Sequence, residues 1–219
     1  DSYIRVRMSK LIGIASHGIR HLTNGQIARE GLSTEYIRGA QLTPITKQLH
    51  LTYDGSLGSD KYVSLVDETL NDLFPCGNGT IAAQGASSQQ SGAVRATGSV
   101  LSLSTTGMST DITFAVCYSE GNGNVNDGWV DSGIRLTVSK ITQIKYGTES
   151  SSFPKRTMTS TNLAAATNVL PQAMGEAAVT YVGDLGAGKW ISLVDSSLNT
   201  VNGGPCVQAV VAAHSADTT

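Results

Sequence analysis

Apolar and polar residues alternate along much of the chain, and this two-residue period predicts β-strands rather than helices. Residues 4–10, IRVRMSK, alternate apolar Ile, Val and Met with polar side chains, as a half-buried strand does. Residues 111–119, DITFAVCYS, are almost continuously apolar, which is typical of a buried strand. The cluster GNGNVNDG at 121–128 predicts a turn, and 129–146 predict one or two long strands after it. The pattern favours a mostly β protein with few short helices, one of them expected at 161–170.

The same pattern of residues occurs twice in the chain. Residues 51–71 and 179–199 are identical at 12 of 21 positions. Residues 1–14 and 131–144 are identical at 7 of 14 positions. This similarity predicts a tandem duplication of a β-sandwich or β-sheet unit with pseudo-twofold symmetry. We expect a first unit at 1–88, a linker at 89–92 and a second unit at 93–219.

The two expected units differ in one respect. Residues 93–130 contain two strong strand patterns ahead of the second copy, whereas the first copy begins at Asp1 with no such head. Either the first unit is a smaller sheet, or its missing strands come from the other half of the chain or from another molecule. Because an unpaired sheet edge readily adds strands, we expect this edge to contribute to assembly.

Each copy contains a Gly-rich turn, which we expect to join two strands as a hairpin. In the second copy this turn, GDLGAGKW at 183–190, resembles the phosphate-binding loop G-x-x-x-x-G-K-[ST]. Trp190 stands where that loop needs a hydroxyl for Mg²⁺, and the first copy has Asp60 in place of the glycine before the lysine. A carboxylate there would oppose a bound phosphate, so we reject a nucleotide site.

The positions that both copies share are the best candidates for a structural role. Each copy has a turn glycine, a lysine that begins the next strand, and an Asp and an Asn that follow it. We expect the last two to close the strand by an Asx turn or a cap. The eight positions are Gly55, Lys61, Asp67, Asn71, Gly183, Lys189, Asp195 and Asn199.

No catalytic or metal-binding set of residues stands out from the sequence. His17 and His21 are four positions apart, but a zinc site needs three or four ligands, and the matching stretch of the second copy has no histidine. Residues 122–127 are faintly similar to a calcium loop but lack its closing Glu, so a hairpin turn is favoured. We therefore expect no enzymatic activity, no cofactor and no metal.

The composition limits the classes of partner and the cellular compartment that we expect. The net charge is −2 and 15% of the residues are charged, which gives no reason to expect nucleic acid. No run of residues approaches the roughly 20 apolar positions of a membrane helix, so no membrane insertion is expected. Three cysteines, Cys76, Cys117 and Cys206, are few and odd in number. We interpret them mostly as buried small apolar residues in a reducing compartment, with one redox-sensitive or cross-linking thiol as the alternative. The sequon NGT at 78–80 matters only if the chain is secreted.

The tandem units SKLIGI…KYVSLVDETLN…PC and SKITQI…KWISLVDSSLN…PC resemble the diatom pyrenoid shell proteins. The resemblance implies a β-rich, two-unit subunit that assembles with itself into a sheet around the Rubisco matrix of the chloroplast pyrenoid and helps to confine CO₂. It also implies matrix components as further partners and a location at the pyrenoid periphery after removal of a targeting segment. It supplies no active-site residues. The alternatives are a secreted or cell-surface β-sandwich module that binds carbohydrate or protein, and a viral or filament coat subunit.

Overall fold

The computed structural model describes residues 8–16, 19–21, 24–27, 32–33, 45–46, 49–146, 156–159, 179–195, 197–198, 205–206 and 209–213. In chain order its strands are β1 (Leu11–Ser16), β2 (Ile19–His21), β3 (Asn24–Ile27), β4 (Leu32–Ser33), β5 (Ile45–Thr46), β6 (Leu49–Gly55), β7 (Tyr62–Asp67), β8 (Val94–Arg95), β9 (Val100–Leu103), β10 (Thr113–Ser119), β11 (Trp129–Val138), β12 (Ile141–Tyr146), β13 (Arg156–Thr159) and β14 (Val179–Gly183). The helical turns are α1 (Leu70–Leu73), a 3₁₀ turn at Pro75–Gly77, α2 (Gly79–Ala82) and α3 (Ala209–Ala212). The mostly β fold with few short helices is thereby confirmed. Among the described residues, no helix is long and apolar enough to cross a membrane.

Two sheets face each other across one apolar core. The first sheet has the strand order β2-β1-β6-β9, and the second has the order β3-β11-β10-β7-β8. Neighbouring strands are antiparallel except β3 and β11, which run parallel. Leu51 of the first sheet lies in the same buried cluster as Leu65 and Phe114 of the second. Each sheet has an apolar face that must be covered, and here the two sheets cover each other.

The helical turns between residues 70 and 83 cover the outer face of the second sheet. Val66 and Trp129 of that sheet pack in one cluster with Cys76, Ala82 and Cys117. Cys76 and Cys117 form a disulfide, with their Cα atoms 5.3 Å apart. The interpretation of these two cysteines as unlinked residues is therefore wrong, although both are buried as expected. They are 41 positions apart, and only the folding of the helical turns over β10 brings them together.

The strands between residues 94 and 119 pair with β6 and β7, which belong to the first copy of the repeat. β9 pairs with β6, while β8 and β10 pair with the two edges of β7. The residues expected to form a linker lie beside β7 as well: the Asp67 N–H donates to the Gln89 carbonyl at 2.8 Å, and the Ser91 N–H donates to the Leu65 carbonyl at 2.9 Å. The strands that the first copy lacks therefore come from the other half of the chain, which is one of the sources considered from the sequence.

The strands of the second copy form a three-stranded sheet with the order β13-β12-β14. β12 is antiparallel to both of its neighbours. It follows β11 after only two residues, so the chain passes directly from the sandwich into this sheet. β4 and β5 pair only with each other among the described strands. Most of the strand expected at 4–10 and the whole helix expected at 161–170 lie outside the described residues.

Candidate assembly surface

The Gly-rich turn of the first copy carries the chain from one sheet to the other. β6 belongs to the first sheet and β7 to the second, so they form a β-arch, and the hairpin expected here is wrong. The reason is that both strands have a core face: Tyr53 of β6 lies in the same cluster as Val63 and Leu65 of β7. Strands in facing layers bury these side chains against each other, which paired neighbours in one sheet would not do. We call residues 49–67 the first arch and the related residues 179–195 the second arch.

Gly55 and Gly183 begin the two turns with similar positive φ angles. Their φ angles are 127° and 140°, a region that side chains other than glycine rarely enter. In both turns a Cβ atom would also collide with a backbone carbonyl oxygen, that of Lys10 beside Gly55 and that of Lys140 beside Gly183. Each turn therefore requires glycine for its conformation and for the close approach of the neighbouring chain.

A tyrosine hydroxyl closes each turn. The Tyr53 hydroxyl lies 2.8 Å from the carbonyl oxygen of Gly58 and 3.1 Å from that of Gly98. The Tyr181 hydroxyl donates to the carbonyl of Gly186 at 2.6 Å. Burial raises the pKa of Tyr53 above the ordinary value of a tyrosine.

The position before the lysine explains the likeness to a phosphate-binding loop. Gly188 has a φ of 69°, and Asp60 has a φ of 59° at the matching position, because Asp enters the left-handed region more readily than most residues. The glycine of the second copy thus serves the turn conformation. The Lys61 ammonium group donates to the Glu120 carbonyl at 3.0 Å, whereas Lys189 is exposed.

Asp67 and Asp195 each accept hydrogen bonds within an Asx turn, the role that the sequence favours. Oδ1 of Asp67 accepts from the N–H and the hydroxyl of Thr69 at 2.9 and 2.8 Å. Oδ1 of Asp195 accepts from the same two groups of Ser197, both at 2.8 Å. Burial raises the pKa of Asp67, but the bonds from Thr69 and from the Gln89 amide outweigh it and hold the pKa below its usual value. The bonds from Ser197 lower the pKa of Asp195 in the same way.

The remaining candidates lie apart from these turns. The Asn71 amide donates to the Phe74 carbonyl at 2.8 Å and so closes the helical turn α1, while its counterpart Asn199 lies outside the described residues. His17 lies outside them too, and His21 ends β2. In the part of the chain that the structure describes, no three His, Cys, Asp or Glu residues lie close enough together to hold a metal.

An ion-pair cluster ties β11 to the residue after β7. The Arg135 guanidinium donates to both carboxylate oxygens of Asp131 at 2.8 Å and to Glu68 at 3.1 Å. Burial raises the pKa of Asp131, but Arg135 and the Gly133 N–H outweigh this effect and leave the pKa below its usual value. The hydrogen bond to Asp131 raises the pKa of Arg135 in turn. The cluster reinforces the addition of β10 and β11 to the sheet that contains β7.

The two arches differ in what covers their second strand. In the first arch β7 lies between β8 and β10, and its Val63 and Leu65 side chains are 2% and 0% exposed. These side chains fill the core of the sandwich. The strand is therefore a central one, with both edges hydrogen-bonded and its core side chains buried.

Residues 189–195 of the second arch, the counterpart of β7, form no ladder with any strand that the structure describes. Trp190 is 98% exposed, Ile191 is 40% exposed and Leu193 is 71% exposed. Large apolar side chains that face water in adjacent positions make this segment a candidate interaction site. Sequence reasoning missed this site, because the apolar pattern predicts burial equally for both arches.

The cysteine that follows each arch shows the same difference. Cys76 is buried in the disulfide with Cys117, whereas Cys206, its counterpart in the repeat, is exposed and has a free thiol. We call residues 189–195 together with Cys206 the open face, because the counterparts of residues 190–195 pair with β10 and the counterpart of Cys206 is bonded to it.

Comparison of the chain with models of protein families, with curated proteins and with solved structures found no match in any of the three. A function therefore has to be inferred from the geometry of the two arches and of the strands that cover one of them.

Proposed function

We propose that this chain is a structural protein, built from two tandem copies of one β-sandwich unit, that assembles with itself through the open face. The observation that carries the proposal is the exposure of Trp190, Ile191 and Leu193, in a segment whose counterpart is the buried centre of a sheet. Such a segment offers apolar side chains to another molecule, together with backbone groups that pair with no strand among the described residues.

The duplication is supported by contacts that recur at positions related by the repeat. The turn glycines, the tyrosine that closes each turn and the Asx turn recur with the same atoms. The register irregularity between Leu11 and Gly13 of β1 recurs between Ile141 and Gln143 of β12. Because β8 to β11 pair with strands of the first copy, we propose a first unit that extends to Val138 and a second, symmetry-related unit that begins with β12.

The size of the driving force follows from the side chains of the open face. Burying one large apolar side chain contributes about 1.5–3 kcal/mol. A segment that pairs with no described strand adds backbone donors and acceptors, which a strand from a second molecule would satisfy by edge pairing. Trp190 and Leu193 together therefore favour association by several kcal/mol before the entropy cost of binding is subtracted.

A self-assembling role agrees with the resemblance to diatom pyrenoid shell proteins, which stays a prediction. In a sheet of that kind the open face would be one of the contacts between subunits. The Cys76–Cys117 disulfide instead favours an oxidising location, because disulfides persist mainly outside the cell and in secretory compartments. We therefore propose assembly in an oxidising environment, in place of the reducing one expected from the cysteine count.

Sedimentation velocity of the purified chain over a concentration series tests self-assembly, with negative-stain electron microscopy to show the shape of any particles. We expect species larger than a monomer as the concentration rises. Leu193→Ser should weaken the association about 10- to 100-fold, the equivalent of about 1.5–3 kcal/mol.

Phe74→Ser is the matched control, since Phe74 is 72% exposed and Leu193 is 71% exposed, but Phe74 follows the first arch. A chain that stays monomeric at every concentration would overturn the proposal. An equal loss of association in both variants would overturn the assignment to the open face.

A secreted or cell-surface binding module is the second candidate, and the disulfide favours it. Asn78 of the NGT sequon is exposed, and it precedes α2 in the helical turns that also carry Cys76. A monomeric chain that binds defined sugars on a glycan array would support this candidate over self-assembly.

A further inference from the structure

We propose that Asn78 is a modification site, and that its side-chain amide carries an N-linked oligosaccharide. The inference rests on the oxidising environment of the proposed function, because such glycans are added in the secretory pathway, where disulfides also form. It goes beyond self-assembly, since it names a covalent modification and the residue that receives it. It also gives a role to the NGT sequon, which self-assembly alone leaves unused.

The sequence offers a single acceptor for such a glycan. The acceptor pattern is Asn-x-Ser/Thr, in which x is any residue except proline. Of the ten asparagines in these 219 residues, only Asn78 has a serine or threonine two positions later. When the two copies are aligned on their Pro-Cys pairs, the related residues 208–210 read Gln-Ala-Val. The proposed modification therefore marks the first copy and not the second.

The acceptor lies where a large polar group has room. Asn78 and Thr80 are both exposed, whereas Cys76 before them is 2% exposed and Ala82 after them is 0% exposed. The two buried residues belong to the cluster that packs the helical turns on the second sheet. The sequon is thus on the outer side of these turns, and an attached oligosaccharide would extend into water without displacing a core side chain.

The side-chain amide of Asn78 uses only its oxygen atom within the described part of the fold. Oδ1 accepts from the Thr80 N–H at 3.0 Å and so caps the N-terminus of α2. Nδ2 donates to no residue that the structure describes. Because a glycan is attached through Nδ2, the modification would leave Oδ1 and the cap in place. The modified and unmodified chains can therefore share the same local fold.

The described contacts explain the first two residues of the sequon but not the third. Asn78 caps α2, and a Cβ atom on Gly79 would collide with the carbonyl oxygen of Val125. The Thr80 hydroxyl forms no hydrogen bond with any of the described residues, and its side chain is exposed. A hydroxyl two positions after the asparagine is what the glycan acceptor pattern requires. The proposed modification therefore accounts for a hydroxyl that these contacts do not.

The neighbouring disulfide supports both the compartment and the order of events. Cys76 is two positions before Asn78, and its bond to Cys117 is of the kind that forms in secretory compartments. Cys117 follows Asn78 in the chain, so the acceptor is synthesised while Cys76 still lacks its partner. The sequon is thus accessible to the transferring enzyme before the helical turns are fastened to β10.

The co-substrate is an oligosaccharide joined to a lipid through a diphosphate, which the cell's transferase brings to the acceptor. Nδ2 of Asn78 attacks C1 of the first sugar, and an N–C bond forms. The bond between C1 and the diphosphate oxygen breaks, and the lipid diphosphate leaves with the electron pair. Nδ2 loses one proton to a base of the transferase, so the step needs neither an oxidant nor a reductant.

The modification also limits which surface joins subunits. A bulky, hydrophilic chain on the helical turns of the first copy opposes close packing of another subunit there. The open face belongs to the second copy, which lacks the sequon. The glycan and the proposed assembly contact are therefore assigned to different surfaces, and removal of the glycan should leave the association unchanged.

Mass spectrometry of the protein isolated from its own source tests the modification. Peptide N-glycosidase removes the glycan and converts the modified asparagine to aspartate, which takes up heavy oxygen when the reaction is run in heavy-oxygen water. Trypsin releases residues 62–95, in which fragment ions distinguish Asn78 from Asn71. We expect labelled aspartate at position 78 and an intact mass that falls by one glycan. An unmodified Asn78 in the source protein would overturn the proposal.

Two variants at one position provide matched controls. The full chain, behind a cleavable secretion signal, is translated in the presence of endoplasmic-reticulum microsomes, and a gel shows the shift that peptide N-glycosidase removes. Thr80→Ser should keep this shift and Thr80→Ala should lose it. Both variants retain the backbone N–H that bonds to Asn78, and the position is exposed. No shift in the wild type, or equal shifts in the wild type and Thr80→Ala, would overturn the proposal.

Failure of the modification and failure of self-assembly give different results. A chain that associates with itself while Asn78 is unmodified would refute the modification and leave the proposed function in place. A glycosylated chain that stays monomeric at every concentration would refute self-assembly and leave the modification in place. Association that changes when the glycan is removed would refute the assignment of the two to separate surfaces.

Discussion

Removing the Cys76–Cys117 disulfide tests how much this cross-link stabilises the fold. The disulfide joins residues 41 positions apart. A cross-link that closes a loop of this length lowers the entropy of the unfolded chain by about 13 cal/mol/K, which stabilises the fold by about 4 kcal/mol at 25 °C. Cys76→Ala/Cys117→Ala should therefore lower the free energy of unfolding by about 4 kcal/mol, with a small addition for the two sulfur atoms lost from the core.

Urea denaturation followed by tryptophan fluorescence measures this change. Trp129 is buried and packs in the cluster that contains the disulfide, so its emission reports the loss of that cluster. Trp190 is 98% exposed and contributes little change in emission on unfolding. A thiol reductant added to the wild-type chain breaks the same bond without removing atoms, so it should produce nearly the same loss of stability.

Cys206→Ser is the control, because Cys206 is exposed and unlinked, and its stability should equal that of the wild type. A loss below about 1 kcal/mol in the double variant would refute the reasoning from loop length. Titration of three free thiols in the unfolded, unreduced chain would refute the disulfide itself.

Two further predictions concern the turn of the first arch and the carboxylates of Asp67 and Asp131. Gly55→Ala should destabilise the fold by about 3 kcal/mol in thermal unfolding, because its φ angle of 127° and the Lys10 carbonyl leave no place for a Cβ atom, while Gly58→Ala should change little. Stability should fall below about pH 4, because Asp67 and Asp131 have a lower pKa in the folded chain than their unfolded value of about 3.9. The stability that they contribute is present above that value and is lost as the pH falls through the folded pKa. In urea titrations from about pH 7 to 2, Asp131→Asn should reduce this slope, and an unchanged slope would contradict the assignment.

The sequence pattern predicted those elements that depend on contacts between residues close together in the chain. The apolar run at 111–119 became the buried strand β10, and the Asn-rich turn after it joins β10 to β11 as a hairpin. Within that turn the Asn124 N–H donates to the Asp127 carboxylate at 2.9 Å, which is a bond between near neighbours. The Asx turn at Asp67 is equally local, since it involves only residues two positions apart.

Pairing between distant strands could not be predicted in the same way. A turn with Gly55 at its start serves a hairpin and an arch equally well, and only the position of β10 decides that β7 belongs to the other sheet. The disulfide was missed for the same reason, because the spacing of three cysteines does not reveal which two meet. The pairing of residues 94–119 with the first copy also depends on backbone contacts that no local motif encodes.

Comparison of the two arches distinguishes the effect of local sequence from the effect of contacts with distant strands. Residues 63–67 and 191–195 read VSLVD and ISLVD, and the turns before them share their glycine and tyrosine contacts. Nearly the same local sequence is nevertheless buried in one arch and exposed in the other, so burial here depends on a partner strand. A segment whose lasting environment was water would gain solubility from polar residues at Ile191 and Leu193. Both positions instead carry the side chains that bury well in the first arch, which supports the proposal that a partner covers this segment.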